Sequence, residues 1–209
     1  MQSISRQIYV WTRNLHLYFG LAISPFVLLF SVSLIFLNHT WIPLGGPDRV
    51  RQSTAVVSIP PGLEQLEGMA RVEKVKEVMR QVGVTGEVSF IRMHDGALIV
   101  PVQKPGQEII LSIFPQDNTV TVARRNTGIW DGMMYLHKTP GPHLANIRGN
   151  WVYTRIWRWA ADATVYLLLF ISATGVYLWL VLKAERKIGL VILGAGVISF
   201  MGVVYVLCA

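Results

Sequence analysis

Three long apolar runs set the plan of this chain: Leu17 to Leu37, Ala163 to Leu182 and Ile188 to Cys208, none containing Lys, Arg, Asp or Glu. Each is about 20 residues long, and at ~1.5 Å rise per residue each reaches ~30 Å, the thickness of a bilayer's hydrocarbon core. Three such runs in one small chain would leave a soluble fold no polar faces to meet water. Three membrane-spanning helices are therefore predicted. The first run is too long for the h-region of a cleavable leader, which covers roughly 7–15 residues. Asn38-His39-Thr40-Trp41 follows it where a small-residue cleavage site would stand.

Between the first and second runs the pattern changes. Pro60-Pro61-Gly62 opens a predicted helix from Leu63 to Val82, in which Val75, Val78, Met79 and Val82 keep helical spacing and Glu67 can pair with Arg71 one turn on. Gly83 is placed to end it. Alternating segments then predict strands over Val88–Met93, Leu98–Gln103 and Ile109–Phe114, with a weaker one over Thr119–Ala123. Turn formers separate them: His94-Asp95-Gly96, Lys104-Pro105-Gly106 and Pro115-Gln116-Asp117-Asn118. The expected fold is a membrane protein of three transmembrane helices carrying an extracytoplasmic α+β insert, a helix on an antiparallel meander. The expected divisions are 1–43, N-terminal segment and first helix; 44–128, the insert; 129–158, an interfacial segment; and 159–209, helices two and three.

Composition agrees with this division: 52% of the 209 residues are hydrophobic and 15% charged, against roughly 25% charged in globular domains. The net charge of +7 divides unevenly. Leu44 to Asn150 holds twelve Lys/Arg and ten Asp/Glu, leaving an excess of two; the other five come from basic residues near helix ends. That distribution speaks of lipid headgroups and topology, not of nucleic acid. The short connection Lys183-Ala-Glu-Arg-Lys187 and the segment with Arg6 and Arg13 are cation-rich, so both are expected in the cytoplasm. Residues 44–158 and the C-terminus then lie on the outer side of the membrane. Arg49, Arg51, Lys138, Arg148, Arg155 and Arg158 argue the other way, but long loops translocate largely regardless of charge. Trp11 and Trp179 on one side, with Trp41, Trp151, Trp157 and Trp159 on the other, suit interfacial belts. Cys208, the one cysteine, can form no intramolecular disulfide.

Chemistry centres on histidine. His16 opens the first helix and His39 ends it, 23 residues and ~35 Å apart, so they belong to opposite faces of the bilayer. His137 and His143 lie just before helix two, on the side of His39; His143, in Pro-Gly-Pro-His, reads as a loop residue, and His94 as a solvated turn residue. Trp130–Lys138 reads as a short interfacial helix with Ile129, Met133, Leu136 and His137 on one face, broken by Gly141 and Pro142. A b-type haem needs one or two imidazoles and an apolar slot between helices. His39 with His137 would supply them, with Trp41, Met133 and Tyr135 as walls and Arg155 or Arg158 on the propionates. Interfacial polar histidines with no ligand role are the competing reading. His16 has no second imidazole in helices two and three, so a bis-histidine haem there would need a partner subunit or another copy. Asp162 is a candidate functional carboxylate, though a salt bridge to Arg158 is the simpler account. Ser24, Ser31, Ser33, Ser172 and Thr174 are expected to join helices by hydrogen bonds. Gly194, Gly196 and Gly202 suggest close packing of helix three, within the chain or with a partner, and no Ser/His/Asp set, HExxH motif or phosphate loop is present.

The order of short motifs carries a resemblance. Asn14-Leu15-His16-Leu17-Tyr18-Phe19-Gly20-Leu21 opens helix one, Leu136-His137-Lys138 follows the insert, and Arg158-Trp159 precedes Thr174-Gly175-Val176-Tyr177-Leu178-Trp179. From about Asn14 to Leu182 the chain resembles the PepSY-associated transmembrane helix family of bacterial inner-membrane proteins. Some relatives in that family are siderophore-linked ferric reductases carrying b-type haems on membrane histidines. The resemblance implies haem b, with His16, His39 and His137 as ligand candidates, and a PepSY-like insert over Pro60–Arg125 of the kind linked to peptidase inhibition or extracytoplasmic binding. The chain departs from larger relatives in having three helices and no flavin or nicotinamide domain, so electrons would have to come through a partner. Two functions follow as expectations. One is a haem-binding electron-transfer subunit of a reductase or respiratory assembly. The other is a non-enzymatic accessory subunit whose insert docks on an extracytoplasmic protein. Membrane lipids and a partner subunit or second copy are the expected partners.

Overall fold

A computed structural model describes residues 2–39, 50–139, 146–182 and 185–208. Trp41, Arg49, Gly141, Pro142, His143 and Lys183 lie outside the described residues. Three helices are long and apolar enough to cross a membrane: α1 (Gln2–Asn38), α4 (Val152–Leu182) and α5 (Arg186–Cys208). The first, at 37 residues, reaches ~55 Å. It runs well beyond the apolar segment, because nothing between Gln2 and Leu17 breaks a helix. Pro25 lies within it and withholds one backbone donor. The helices belong to two compact units, Met1–Ser24 with Val165–Ala209, and Pro25–Thr164; α1 and α4 contribute to both.

In the first unit, α1 and α4 meet through small and aromatic residues. Phe19 and Phe170 pack edge to face with centroids 5.5 Å apart, and a Cβ at Gly20 would lie 3.6 Å from Ile171 Cδ1. Gly189 sits so close to the Trp179 indole that any Cβ there would collide with it. That contact draws the start of α5 onto the end of α4. Beyond it α5 buries no residue, and Gly194, Gly196 and Gly202 face open space. Among the described residues nothing packs against those three glycines, which leaves packing with a partner as the open half of the expectation.

The second unit holds the α+β layer. Six antiparallel strands are β1 (Val50–Val56), β2 (Glu87–Val88), β3 (Arg92–His94), β4 (Ala97–Lys104), β5 (Gln107–Phe114) and β6 (Thr119–Asn126). Their order is β1-β6-β5-β4-β2, with β3 also on β4. Period-2 alternation turns Leu98, Val100, Val102, Ile109, Leu111, Ile113, Val120 and Val122 to one face. Against them α2 (Gly68–Gln81) lays Val72, Val75, Val78 and Met79. The hairpins follow their turn residues: Asp95 and Gly96 both take positive φ (49° and 75°) in a two-residue link between His94 and Ala97.

Three expectations are corrected here, and one strand is added. The helix begins at Gly68, not Leu63: Gly62 and Gly68 have positive φ, and residues 61–65 form a turn that buries Leu63. Glu67 is consequently the N-cap, and Arg71 donates to the Glu64 carbonyl at 2.9 Å instead of pairing with Glu67. The first predicted strand is two short ones, β2 and β3, separated by residues 89–91. Strand β1, in a segment given no element beforehand, pairs along β6 from Val50↔Arg125 to Val56↔Thr119. It escaped the pattern because as an edge strand it is exposed on both faces.

A buried polar clasp ties the sheet to the start of α4. Glu87 accepts backbone N–H bonds from Gly149 (2.7 Å), Asn150 (3.3 Å) and Trp151 (2.8 Å). These donors lie at and just before the helix N-terminus, where a carboxylate is favoured. Asn150 completes the join: Oδ1 accepts from Val88 N–H at 3.1 Å, and Nδ2 donates to the carbonyls of Val88 and Ile147, both at 2.9 Å. Lys76 of α2 donates to the Asn150 carbonyl.

Candidate functional site

The helix α3 (Gly128–Lys138) is shorter than one bilayer crossing and ends in His137-Lys138. Gly132 lies against the β4–β5 turn, where a Cβ would come within 3.0 Å of Gly106 N. The opposite contacts go to α1: Trp130 packs on Phe36 with centroids 4.7 Å apart, and seven residues on His137 meets Phe30 edge to face at 5.5 Å. Ile129 was expected on this packed face but is 72% exposed. The packed face is set by Trp130 and His137, one heptad apart.

His137 Nδ1 lies 2.7 Å from Ser33 Oγ. Ser33 is wholly buried and donates its hydroxyl proton to the Phe30 carbonyl one turn back, at 2.9 Å. Its oxygen is therefore an acceptor for the histidine, and Nδ1 carries the proton of that bond. In the neutral ring this leaves Nε2 with the lone pair. Phe30 also packs on Trp157 of α4 at 5.9 Å, and Trp157 Nε1 donates to the carbonyls of Leu136 (2.9 Å) and Thr139 (3.1 Å). Those two bonds hold the end of α3, and with it His137, against α4.

The same arrangement occurs in the first unit. His16 Nδ1 lies 2.8 Å from Thr174 Oγ1. Thr174 donates back to the carbonyls of Phe170 (2.8 Å) and Ile171 (3.1 Å), so it too accepts from the ring. The neighbouring Gly175 leaves room for the imidazole, since a Cβ there would be 3.5 Å from His16 Cε1. Thus the His16 motif, expected to open helix one but lying well inside α1, and the Thr-Gly step of α4, 158 positions apart, are bound to each other.

The remaining candidates are placed less centrally. His39 stands one residue past α1, exposed, its backbone N–H on Ile35 O at 3.0 Å. It is six positions beyond Ser33, hence ~9 Å further along the axis and on another side of the helix. Arg155 and Arg158 are exposed on the first turns of α4, and Asp162 is exposed one turn further. Among the described residues no ion pair joins Arg158 to Asp162, contrary to expectation. His94 is exposed beside Asp95, as its turn position suggests. No group of three or more His, Cys, Asp or Glu that could hold a bare metal ion occurs among the described residues.

A metal held within a macrocycle takes only one or two axial ligands from the protein, and His16 and His137 have the chemistry to supply them. Each presents a single Nε2 whose partner nitrogen is fixed by a hydroxyl, the kind of orienting bond that ligating histidines make. Sequence reading placed Ser33 and Thr174 as helix-joining hydroxyls. What it missed was that each joins its helix to a histidine; a hydroxyl one helix away from an isolated histidine in an apolar run was the available signal.

A family model described as PepSY_TM-like matches residues 10–209. No curated protein and no solved structure matches the chain.

Proposed function

This chain belongs to the PepSY_TM-like family of membrane proteins, and from that premise we propose that it is a membrane-embedded subunit that binds b-type haem for electron transfer. One observation carries the reading: in both His137 and His16 a buried hydroxyl accepts a hydrogen bond from Nδ1–H, which leaves Nε2 with the lone pair. Haem would supply a one-electron carrier whose potential follows from its axial ligands and burial. The chain's own part is to orient the two rings, to keep water away with Phe30 and Trp157 beside His137, and to hold α3 against α4. Arg155 and Arg158, exposed on the first turns of α4, are cations suited to propionates. His39 remains a ligand candidate at the end of α1, and His16 would draw any second ligand from a partner subunit or another copy. With residues 44–158 in the periplasm of a bacterial inner membrane, as the Lys183–Lys187 connection argues, the His137 site lies toward the periplasmic face. Electrons would arrive through another protein or a membrane carrier. Purification in mild detergent followed by reduced-minus-oxidised spectroscopy tests the reading; a folded protein without haem bands would refute it.

A second reading rests on a different feature. Strand β1 is the last in the sheet order and nearly all of it is exposed, so its outer edge can accept an extended segment of an extracytoplasmic partner. An accessory role of this kind is compatible with haem binding. Cross-linking from β1 in intact membranes tests it: a chain that cross-links to nothing would count against a docked partner.

A further inference from the structure

Beside α3 and α4 the second unit contains a groove of about 500 Å³. Phe26 of α1, Leu136 of α3 and Ile156, Trp157 and Ala160 of α4 form its apolar walls, and Tyr153 adds a second aromatic face. No lining residue carries a formal charge. The hydroxyl-bearing side chains of Tyr135, Thr139 and Thr154 line it together. Burial is the main influence on the Tyr135 phenol and pushes its pKa above the ordinary value of 10.0, with the nearby Glu87 carboxylate adding to the rise; the Thr139 and Thr154 hydroxyls act the other way. The phenol is thus a neutral hydrogen-bond donor throughout the physiological range.

The groove lies where α4 emerges from the bilayer. At 31 residues α4 is ~46 Å long, some 16 Å more than the hydrocarbon core. Residues 153–160, in its first three turns, fall at the interface, the depth preferred by Trp and Tyr. A ligand reaching this place from the membrane is an amphiphile. The neutral lining argues against a phospholipid headgroup, whose phosphate would be stripped of water with no cation facing it. Aromatic walls and a cluster of neutral hydroxyls suit a flat, uncharged ring with carbonyl acceptors and an apolar tail.

We infer that this groove is a binding site for a membrane quinone, its ring among Tyr153, Trp157 and Phe26 and a ring carbonyl accepting a hydrogen bond from the Tyr135–Thr139–Thr154 cluster. The inference goes beyond the haem reading and stands without it. The test is equilibrium dialysis of a radiolabelled short-chain ubiquinone analogue against the intact protein in nanodiscs, with empty nanodiscs as blank. Saturable binding of about one analogue per chain is expected. Tyr135→Phe, which keeps the ring and loses the donor, should weaken binding roughly tenfold, and Ala160→Phe should abolish it by filling the groove. Saturable uptake that neither variant changes, or no uptake above the blank, would overturn the proposal. So would a phospholipid that co-purifies with the wild type, is lost in Ala160→Phe, and keeps the analogue out. Ala160→Phe is scored only with an unaltered size-exclusion profile; Tyr135→Phe, which changes no volume to speak of, decides the matter if it fails that criterion. Because the readout is bound label, a protein without haem but with the quinone site would refute the one reading and leave the other standing.

Discussion

Ser33 Oγ accepts a hydrogen bond from His137 Nδ1 at 2.7 Å, joining α1 to α3 through a wholly buried hydroxyl. A serine buried in an apolar helix would stabilise little by bonding its own turn alone. Here it fixes the tautomer of a histidine 104 positions away. Ser33→Ala is expected to leave the helices intact and to loosen haem at His137 by roughly 10- to 100-fold, the usual cost of losing an orienting partner. Ser33→Thr, which keeps the hydroxyl, should restore retention. Haem titration of the purified variants measures both.

Thr174→Val makes the corresponding change at His16, removing the hydroxyl at nearly constant volume. Loss of the 2.8 Å bond should alter the environment of His16 and leave that of His137 unchanged. Two-dimensional NMR of ¹⁵N-histidine-labelled protein resolves the tautomers. In the wild type both rings should carry the proton on Nδ1, and in Thr174→Val only the His16 signals should move.

The clasp at Glu87 makes a stability prediction. Glu87→Ala removes the acceptor of three backbone N–H groups and leaves them facing a buried gap. A cost of about 3 kcal/mol is expected, in the range for losing charge-assisted bonds and stranding their donors. Glu87→Gln retains an acceptor oxygen and should cost less. Denaturant unfolding followed by Trp fluorescence gives the comparison, since Trp151 is one of the donors. Leu111→Ala, in the fully buried sheet face, provides a reference of roughly 2–5 kcal/mol.

Tyr135 should ionise later than an ordinary phenol. Its pKa is raised in the folded protein, chiefly by burial, so above pH 10 the unfolded chain releases this proton first and stability falls as pH rises. Below pH 10 both states keep the proton, and the group makes no pH-dependent contribution. A phenolate absorbance titration of wild type against Tyr135→Phe should lose one late-titrating group. A lost group that titrates at or below pH 10 would show that the phenol is not desolvated.

How much of this was readable beforehand depends on what kind of signal each element leaves. The membrane helices write themselves in uninterrupted apolarity, and strands β4, β5 and β6 in alternation around Leu98–Val102, Ile109–Ile113 and Val120–Val122. Strand β1 leaves neither signal, because Val50 to Val56 buries almost nothing and is held by its pairing with β6. The helix start moved from Leu63 to Gly68 because two positive-φ glycines frame a turn that apolar spacing does not reveal. For the site, His16 was visible as an isolated histidine bordering an apolar run and His137 as one at the end of the short predicted helix. Their hydroxyl partners were not, since Ser33–His137 and Thr174–His16 are contacts made by tertiary packing across 104 and 158 positions. Glu87 was missed for the same reason: its role lies in N–H groups 62 to 64 residues on.

The central claim is that His137, oriented by Ser33, is a haem ligand, and the reduced-minus-oxidised spectrum of the purified protein tests it most directly. The account predicts a Soret shift and an α-band of b type in the wild type, with the signal of the His137 site lost in His137→Ala and retained in His16→Ala. A correctly folded wild type with no such bands, or bands that survive His137→Ala unchanged, would contradict it.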